Sequence, residues 1–176
     1  MSITKVNADV LDLTDGYAFT GAVSGAGKVV QMVNVQDSTV GTVTTIIPID
    51  TSIPQNDEGG EIMTLAITPT SSSNKLYIDV SLNGIDAGSS EDITGLLFQD
   101  TTANSLAACN QYMASTTGTG LAMRHYMTAG TTSATTFKIR LGPGTSGTIT
   151  YNGSAGGTDT YGTAMHSSMT IWEISA

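Results

Sequence analysis

From Val29 onward, short hydrophobic runs alternate with polar residues at a period of two. In KLYIDVSL, Leu76, Ile78, Val80 and Leu82 fall on one face while Tyr77, Asp79 and Ser81 fall on the other, the spacing of a half-buried β-strand. TTFKIRL repeats the pattern, with Phe137, Ile139 and Leu141 inward and Lys138 and Arg140 outward. Strands are predicted over Val29–Val35, Thr42–Pro48, Glu61–Thr68, Lys75–Leu82, Gly95–Gln99, Leu121–Thr128, Thr135–Leu141, Gly147–Tyr151 and Ser168–Ile174. Turn signals follow three of them, at Asn83-Gly84, Pro143-Gly144 and Asn152-Gly153. NSLAACNQYMA, residues 104–114, sets Leu106, Cys109 and Met113 on one side of a helix and is expected to form a brief one. No predicted strand is followed by a helix long enough for repeated βαβ crossovers. The expected class is therefore all-β, an antiparallel β-sandwich or jelly roll.

The final strand stands apart. In MTIWEI, Met169, Ile171 and Glu173 oppose Thr170, Trp172 and Ile174, so both faces carry large apolar groups. One face should meet the core and the other a second surface, for which a partner chain is the economical candidate. Met169, Ile171 and Trp172 are the candidate interface residues. Ahead of the strands, residues 1–28 are set apart as an N-terminal arm with a glycine hinge, and residues 29–176 as the jelly-roll domain. Apolar anchors, among them Leu11, Leu13, Tyr17 and Phe19, are spaced among Asp and Gly, and SGAG supplies a joint. An arm of this kind lies extended on another protein, each anchor filling its own pocket; the alternative is an irregular first strand packed on its own domain.

Composition sharpens this picture. The chain of 176 residues has 29 Thr, 18 Ser and 20 Gly, so hydroxyls take the place of charges, which make up only 12%. A net charge of −9 repels polyanions and argues against nucleic-acid binding. Through residue 100 there are 13 acidic and three basic residues, against two and three thereafter. Arg124, Lys138 and Arg140 are thus candidates to face a neighbour's acidic loops, or else to lie on solvated strand faces. The N-terminus has no secretory pattern and no apolar run is long enough to span a bilayer, so neither this export route nor a membrane anchor is expected. Cys109 is the one cysteine, expected as a small buried residue and not a nucleophile.

Candidate chemistry is weak throughout. SGAGK, residues 24–28, has Ala22 and Val29 where a P-loop needs Gly and Ser or Thr. Asp57, Glu58 and Glu61 could offer oxygens to Ca²⁺ but lack EF-hand spacing, and a solvated loop is simpler. His125 and His166 would approach each other only if their strands are neighbours, and two histidines do not define a zinc site. No G-x-S-x-G elbow marks an activated serine. Asn152-Gly153-Ser154 has the form of a glycosylation triplet but is expected to serve as a turn. No cofactor, metal or catalytic residue is assigned, and an enzyme is not expected.

Four segments, VLDLTDGYAFTGAVSGAG (10–27), IPIDTSIPQNDEGGEIMTLAITPTSSSNKLYIDV (47–80), TFKIRLG (136–142) and SSMTIWEI (167–174), resemble small tailed-phage structural proteins and the carboxy-terminal heads of phage tail fibres. Such modules are similar in architecture to trimeric jelly rolls of the C1q and tumour-necrosis-factor sort. The resemblance implies a virion protein and a homotrimer with the terminal strand near its axis. The first expectation is a capsid cement or decoration protein whose arm (Leu11, Leu13, Tyr17, Phe19) grips the major capsid protein or another virion protein. The alternative is the receptor-binding head of a short tail fibre or spike, with loops from Asp86 to Asp92, Thr101 to Gly120 and Gly153 to Gly162 meeting a cell-surface glycan or protein. A glycan-cleaving enzyme is a further alternative, requiring converging carboxylates.

Overall fold

The computed structural model describes residues 27–114 and 118–176. Twelve strands run in the order β1 (Val29–Asp37), β2 (Gly41–Val43), β3 (Gly60–Ile67), β4 (Lys75–Ile85), β5 (Glu91–Gln99), β6 (Ala107–Met113), β7 (Thr119–Thr128), β8 (Thr135–Pro143), β9 (Ile149–Tyr151), β10 (Gly153–Ser154), β11 (Thr158–Asp159) and β12 (Ser167–Ile174). Eight of them build two four-stranded antiparallel sheets, ordered β1-β12-β4-β7 and β3-β8-β5-β6. Taken in chain order, one sheet holds the first, eighth, third and sixth long strands and the other holds the second, seventh, fourth and fifth. That interleaving is the strand order of a jelly roll.

The alternation read from the sequence positions the core. Leu76, Ile78, Val80 and Leu82 of β4, with Met169 and Ile171 of β12, face Phe137, Ile139 and Leu141 of β8 and Ile93 and Leu97 of β5 in one buried cluster. Burying such side chains supplies about 25 cal/mol per Å² of apolar surface removed from water. The fold needs no disulfide to close it. Cys109 is free and lies opposite Gly95, which has no side chain to obstruct the sulfur.

β5 is apolar on both faces because both are covered. Leu96 and Phe98 point away from the main core and pack with Ile47, which belongs to the segment between β2 and β3. That segment is laced along the sheet: the Ile47 amide donates to the Pro143 carbonyl (2.8 Å) and the Ser105 amide to the Pro54 carbonyl (2.9 Å). Gly142 permits the approach, since a Cβ there would run into the Thr45 carbonyl oxygen. Thr42–Pro48 is therefore a strand only over Gly41–Val43, and its remainder serves as a cover.

Two further expectations are corrected. Residues 107–113 form β6 and not a helix. Their backbone completes the open edge of β5, with Cys109 opposite Gly95, and those inter-strand hydrogen bonds outweigh a helical spacing too short to be stable by itself. Asn83-Gly84 makes no hairpin. β4 continues through it to Ile85, with the register slipping between Leu82 and Ile85 and Gly84 at φ +56°, which marks a bulge.

Candidate functional site

The two outer faces of the sandwich differ in what covers them. The β3-β8-β5-β6 sheet carries the 44–58 segment, whereas the outer face of β1-β12-β4-β7 keeps Met32, Asn34, Arg124 and Tyr126 exposed. On that open face the register sets Met32 beside Trp172, Trp172 beside Tyr77, and Tyr77 beside Tyr126. Directly paired residues project on the same side, so one side chain from each of four strands forms a continuous row. Met32 and Tyr126 at its ends are 56% and 58% exposed. Between them the Tyr77 and Trp172 rings are half-buried, their centroids 5.5 Å apart and their planes tilted by 40°, a geometry in which edge and face charges attract.

The next row is polar. Asn34, Thr170, Asp79 and Arg124 lie side by side. The Asn34 amide donates to Thr170 Oγ1 at 2.8 Å, and Arg124 Nε sits 3.4 Å from Asp79 Oδ1. Exposed as it is, this ion pair adds little stability but fixes where the guanidinium points. Gln36, Ser168, Ser81 and Ala122 follow, then Asn83, whose side-chain amide donates to Ser81 Oγ (3.4 Å) and to the His166 carbonyl (2.8 Å). From Tyr77 to Asn83 the face runs about 20 Å along β4.

At its far end the face opens into a depression of about 540 Å³ among the end of β4, the start of β7 and β10. A second hollow of about 450 Å³ adjoins it, and Asn83, Tyr161 and Met165 line both. Gly84 makes room for this floor: a side chain there would strike Met165 and the Gly153 amide. Asn152, at φ +57°, turns the chain at β9, and its buried amide donates to the Asp37 and Thr39 carbonyls and accepts from Ser167 Oγ at 2.6 Å. Asp86, 3% exposed, ties two loops together by accepting from the Gly88 amide (2.8 Å) and the Ala155 amide (3.0 Å).

Beneath the aromatic row lies Glu173, 0% exposed. Its Oε1 accepts from Asn74 Nδ2 (2.5 Å), the Thr70 amide and hydroxyl (both 2.8 Å) and the Ser71 amide (3.3 Å), while Oε2 accepts from Gln31 Nε2 (2.6 Å). Burial pushes this carboxyl up, but the hydrogen bonds from Gln31, Asn74 and Thr70 outweigh it and hold it at about 2. One ionised group thus joins β1, β12 and the β3–β4 loop behind the face.

Of the residues singled out from the sequence, Leu11, Leu13, Tyr17 and Phe19 lie outside the described residues. Trp172 stands on the open face, but Met169 and Ile171 are wholly inside the sandwich and have no surface to offer a second chain. A strand's period of two separates them from Trp172. Lys138 and Arg140 reach Glu61 of their own chain at 3.6 and 3.9 Å, and Arg140 also donates to the Glu58 and Gly59 carbonyls. His125 and His166 do not meet. His125 pairs at the Ile78 level of β4, where burial lowers its basicity, whereas the His166 backbone is at Asn83 and its ring contacts Gln36 and the Ala164 carbonyl. Among the described residues no group of three His, Cys, Asp or Glu is placed to hold a metal ion. Nor is any helix there long and apolar enough to cross a membrane. The glycosylation triplet is a turn with a buried Asn152.

No protein-family model matches the chain, and no curated protein matches it. Among solved structures it is similar to the sugar-binding EclA C-terminal domain, at 14% identity over 99% of this chain and 98% of that one, with a TM-score of 0.35. It is also similar to latent PorU from Porphyromonas gingivalis (7% identity, 89% of this chain, 14% of that one, TM-score 0.41) and to infectious bursal disease virus Gt strain (12%, 83%, 38%, TM-score 0.41). The chain spans nearly all of the first but well under half of the other two. The likeness is between jelly-roll-like sandwiches, and no residue role is carried across from it.

Proposed function

We propose that the chain is a virion surface module that recognises a receptor, the head of a short tail fibre or spike, and that its contact surface is the open face of the β1-β12-β4-β7 sheet. The observation that carries this reading is the row Met32, Trp172, Tyr77 and Tyr126, exposed at both ends among the described residues and bordered by hydrogen-bonding side chains. Aromatic rings with polar tips bind well at low entropic cost because they offer a large apolar area on few rotatable bonds. The segments resembling tail-fibre heads support the virion setting. As a homotrimer, three such heads would multiply a weak contact by avidity.

The test is saturable binding of the labelled chain to host cells. Tyr126→Ala, which removes an exposed ring and leaves the core alone, is expected to weaken binding about tenfold. No saturable binding, or binding indifferent to Tyr126, refutes the reading.

A capsid cement role is the second reading, favoured by Ile46, Ile49 and Ile53, which are exposed on the segment covering the other sheet and would suit contact with shell proteins. Copy number separates the two: decoration requires many copies over purified capsids, the fibre reading a few at the tail.

A further inference from the structure

We infer that the depression at the end of the open face is a binding site for a single neutral sugar unit of the receptor, with Tyr161 as its stacking platform. The assignment deepens the receptor-recognition reading and rests on it.

The first ground is Tyr161 itself. The residue is 81% exposed, yet its backbone sits at φ +62°, a left-handed conformation that is costly for a bulky residue and free for glycine. No packing in the core recompenses that strain, and strain held at an exposed residue points to contact with something else. The second ground is the chemistry of the walls. Asn83 offers its amide oxygen, its N–H groups being given to Ser81 and the His166 carbonyl, Ser154 and Thr160 offer two hydroxyls joined by one bond of 3.3 Å, Met165 offers an apolar patch, and Gly118 and Gly120 leave backbone open on the far side. A ring face next to converging hydrogen-bonding groups matches a pyranose, which has an apolar C–H face and a rim of hydroxyls.

The third ground is charge. Among the described residues no Lys or Arg lines the depression, and the one carboxylate among them, Asp86, is buried with both oxygens occupied by the Gly88 and Ala155 amides. The His166 ring in the adjoining hollow is engaged by Gln36 and the Ala164 carbonyl. An acidic sugar finds no cation here and an amino sugar no free anion. The volume of about 540 Å³ falls within the usual range of small-ligand sites.

The experiment titrates the full ¹⁵N-labelled chain with the methyl glycosides of glucose, galactose and mannose to millimolar concentration, with N-acetylneuraminic acid and glucosamine as charged comparisons. At least one neutral glycoside should move the amide signals of Gly84, Ser154 and Tyr161, and Tyr161→Gly should weaken that binding about tenfold or more with thermal unfolding no lower than in the parent chain. Thr160→Val, which deletes a hydroxyl and its 3.3 Å bond to Ser154 Oγ while leaving the Tyr161 ring in place, should also weaken it. The assignment is overturned if no neutral glycoside moves these signals, if a charged sugar binds better, or if the shifts fall at Tyr126 and Ala122 instead. Cell binding separates the two levels. Cells bound equally well by Tyr161→Gly and parent chain remove the sugar site alone, whereas a glycoside seated in the depression of a chain that ignores host cells removes the receptor-binding reading alone.

Discussion

Replacing Glu173 by Gln tests whether one buried carboxylate holds the open face in place. The substitution keeps the shape but removes the charge that five donors share. It also sets a side-chain NH₂ against the Gln31 NH₂, which cannot turn away without giving up its own bond to the Thr68 carbonyl at 2.8 Å. Hydrogen bonds to a charged group contribute about 1.5–3 kcal/mol, so the loss at neutral pH should be about 2 kcal/mol. Proton linkage gives a second measure. The folded carboxyl is held at about 2, below its ordinary 4.5. Its stabilisation is therefore fully present above 4.5 and lost as pH falls toward 2. Taken whole, that shift sets an upper bound of about 3 kcal/mol, within which the hydrogen-bond figure of about 2 falls. Urea denaturation of parent and Glu173→Gln chains across this pH range gives a difference curve in which the other carboxylates cancel. The difference should be about 2 kcal/mol at neutral pH and should close between pH 4.5 and 2. A difference under about 0.5 kcal/mol at neutral pH, or one unchanged on acidification, refutes the network.

Three more outcomes follow from the packing. Phe98→Ala empties the cluster it shares with Ile47 and Leu96 and should cost about 3–4 kcal/mol in chemical denaturation; a loss below about 1 kcal/mol would mean the 44–58 segment is not packed as a cover. Gly84→Ala places a methyl group at positive φ against Met165 and the Gly153 amide and should lower stability by about 2 kcal/mol or more, read as a fall in Tm. The Cys109 thiol is pushed up from its ordinary 9.0 by burial, partly opposed by a hydrogen bond at the Gly95 backbone. Iodoacetamide should therefore label the native chain far more slowly than the denatured one at mildly alkaline pH.

The sequence alone determined which side chains go inward. A strand turns each successive residue to the opposite face, so KLYIDVSL and TTFKIRL each declared their core side while SSMTIWEI, apolar on both faces, did not, and enough short strands without crossover helices left only a sandwich or jelly roll. It also placed Tyr77 and Trp172 on the opposite side from Leu76 and Ile171. What it did not contain was lateral order. That Met32, Trp172, Tyr77 and Tyr126 form one row depends on β12 lying between β1 and β4 and on the register of three pairings between strands far apart in the chain. The same non-local pairing drew 107–113 into a strand, buried Met169 and Ile171 out of a partner's reach, and gave Lys138 and Arg140 partners in their own chain. The site around Tyr161 left no periodic trace, because loops have no period. It exists only where the jelly roll brings the ends of β4, β7 and β10 together, and the closing of the two sheets over a shared core is what fixes those ends side by side.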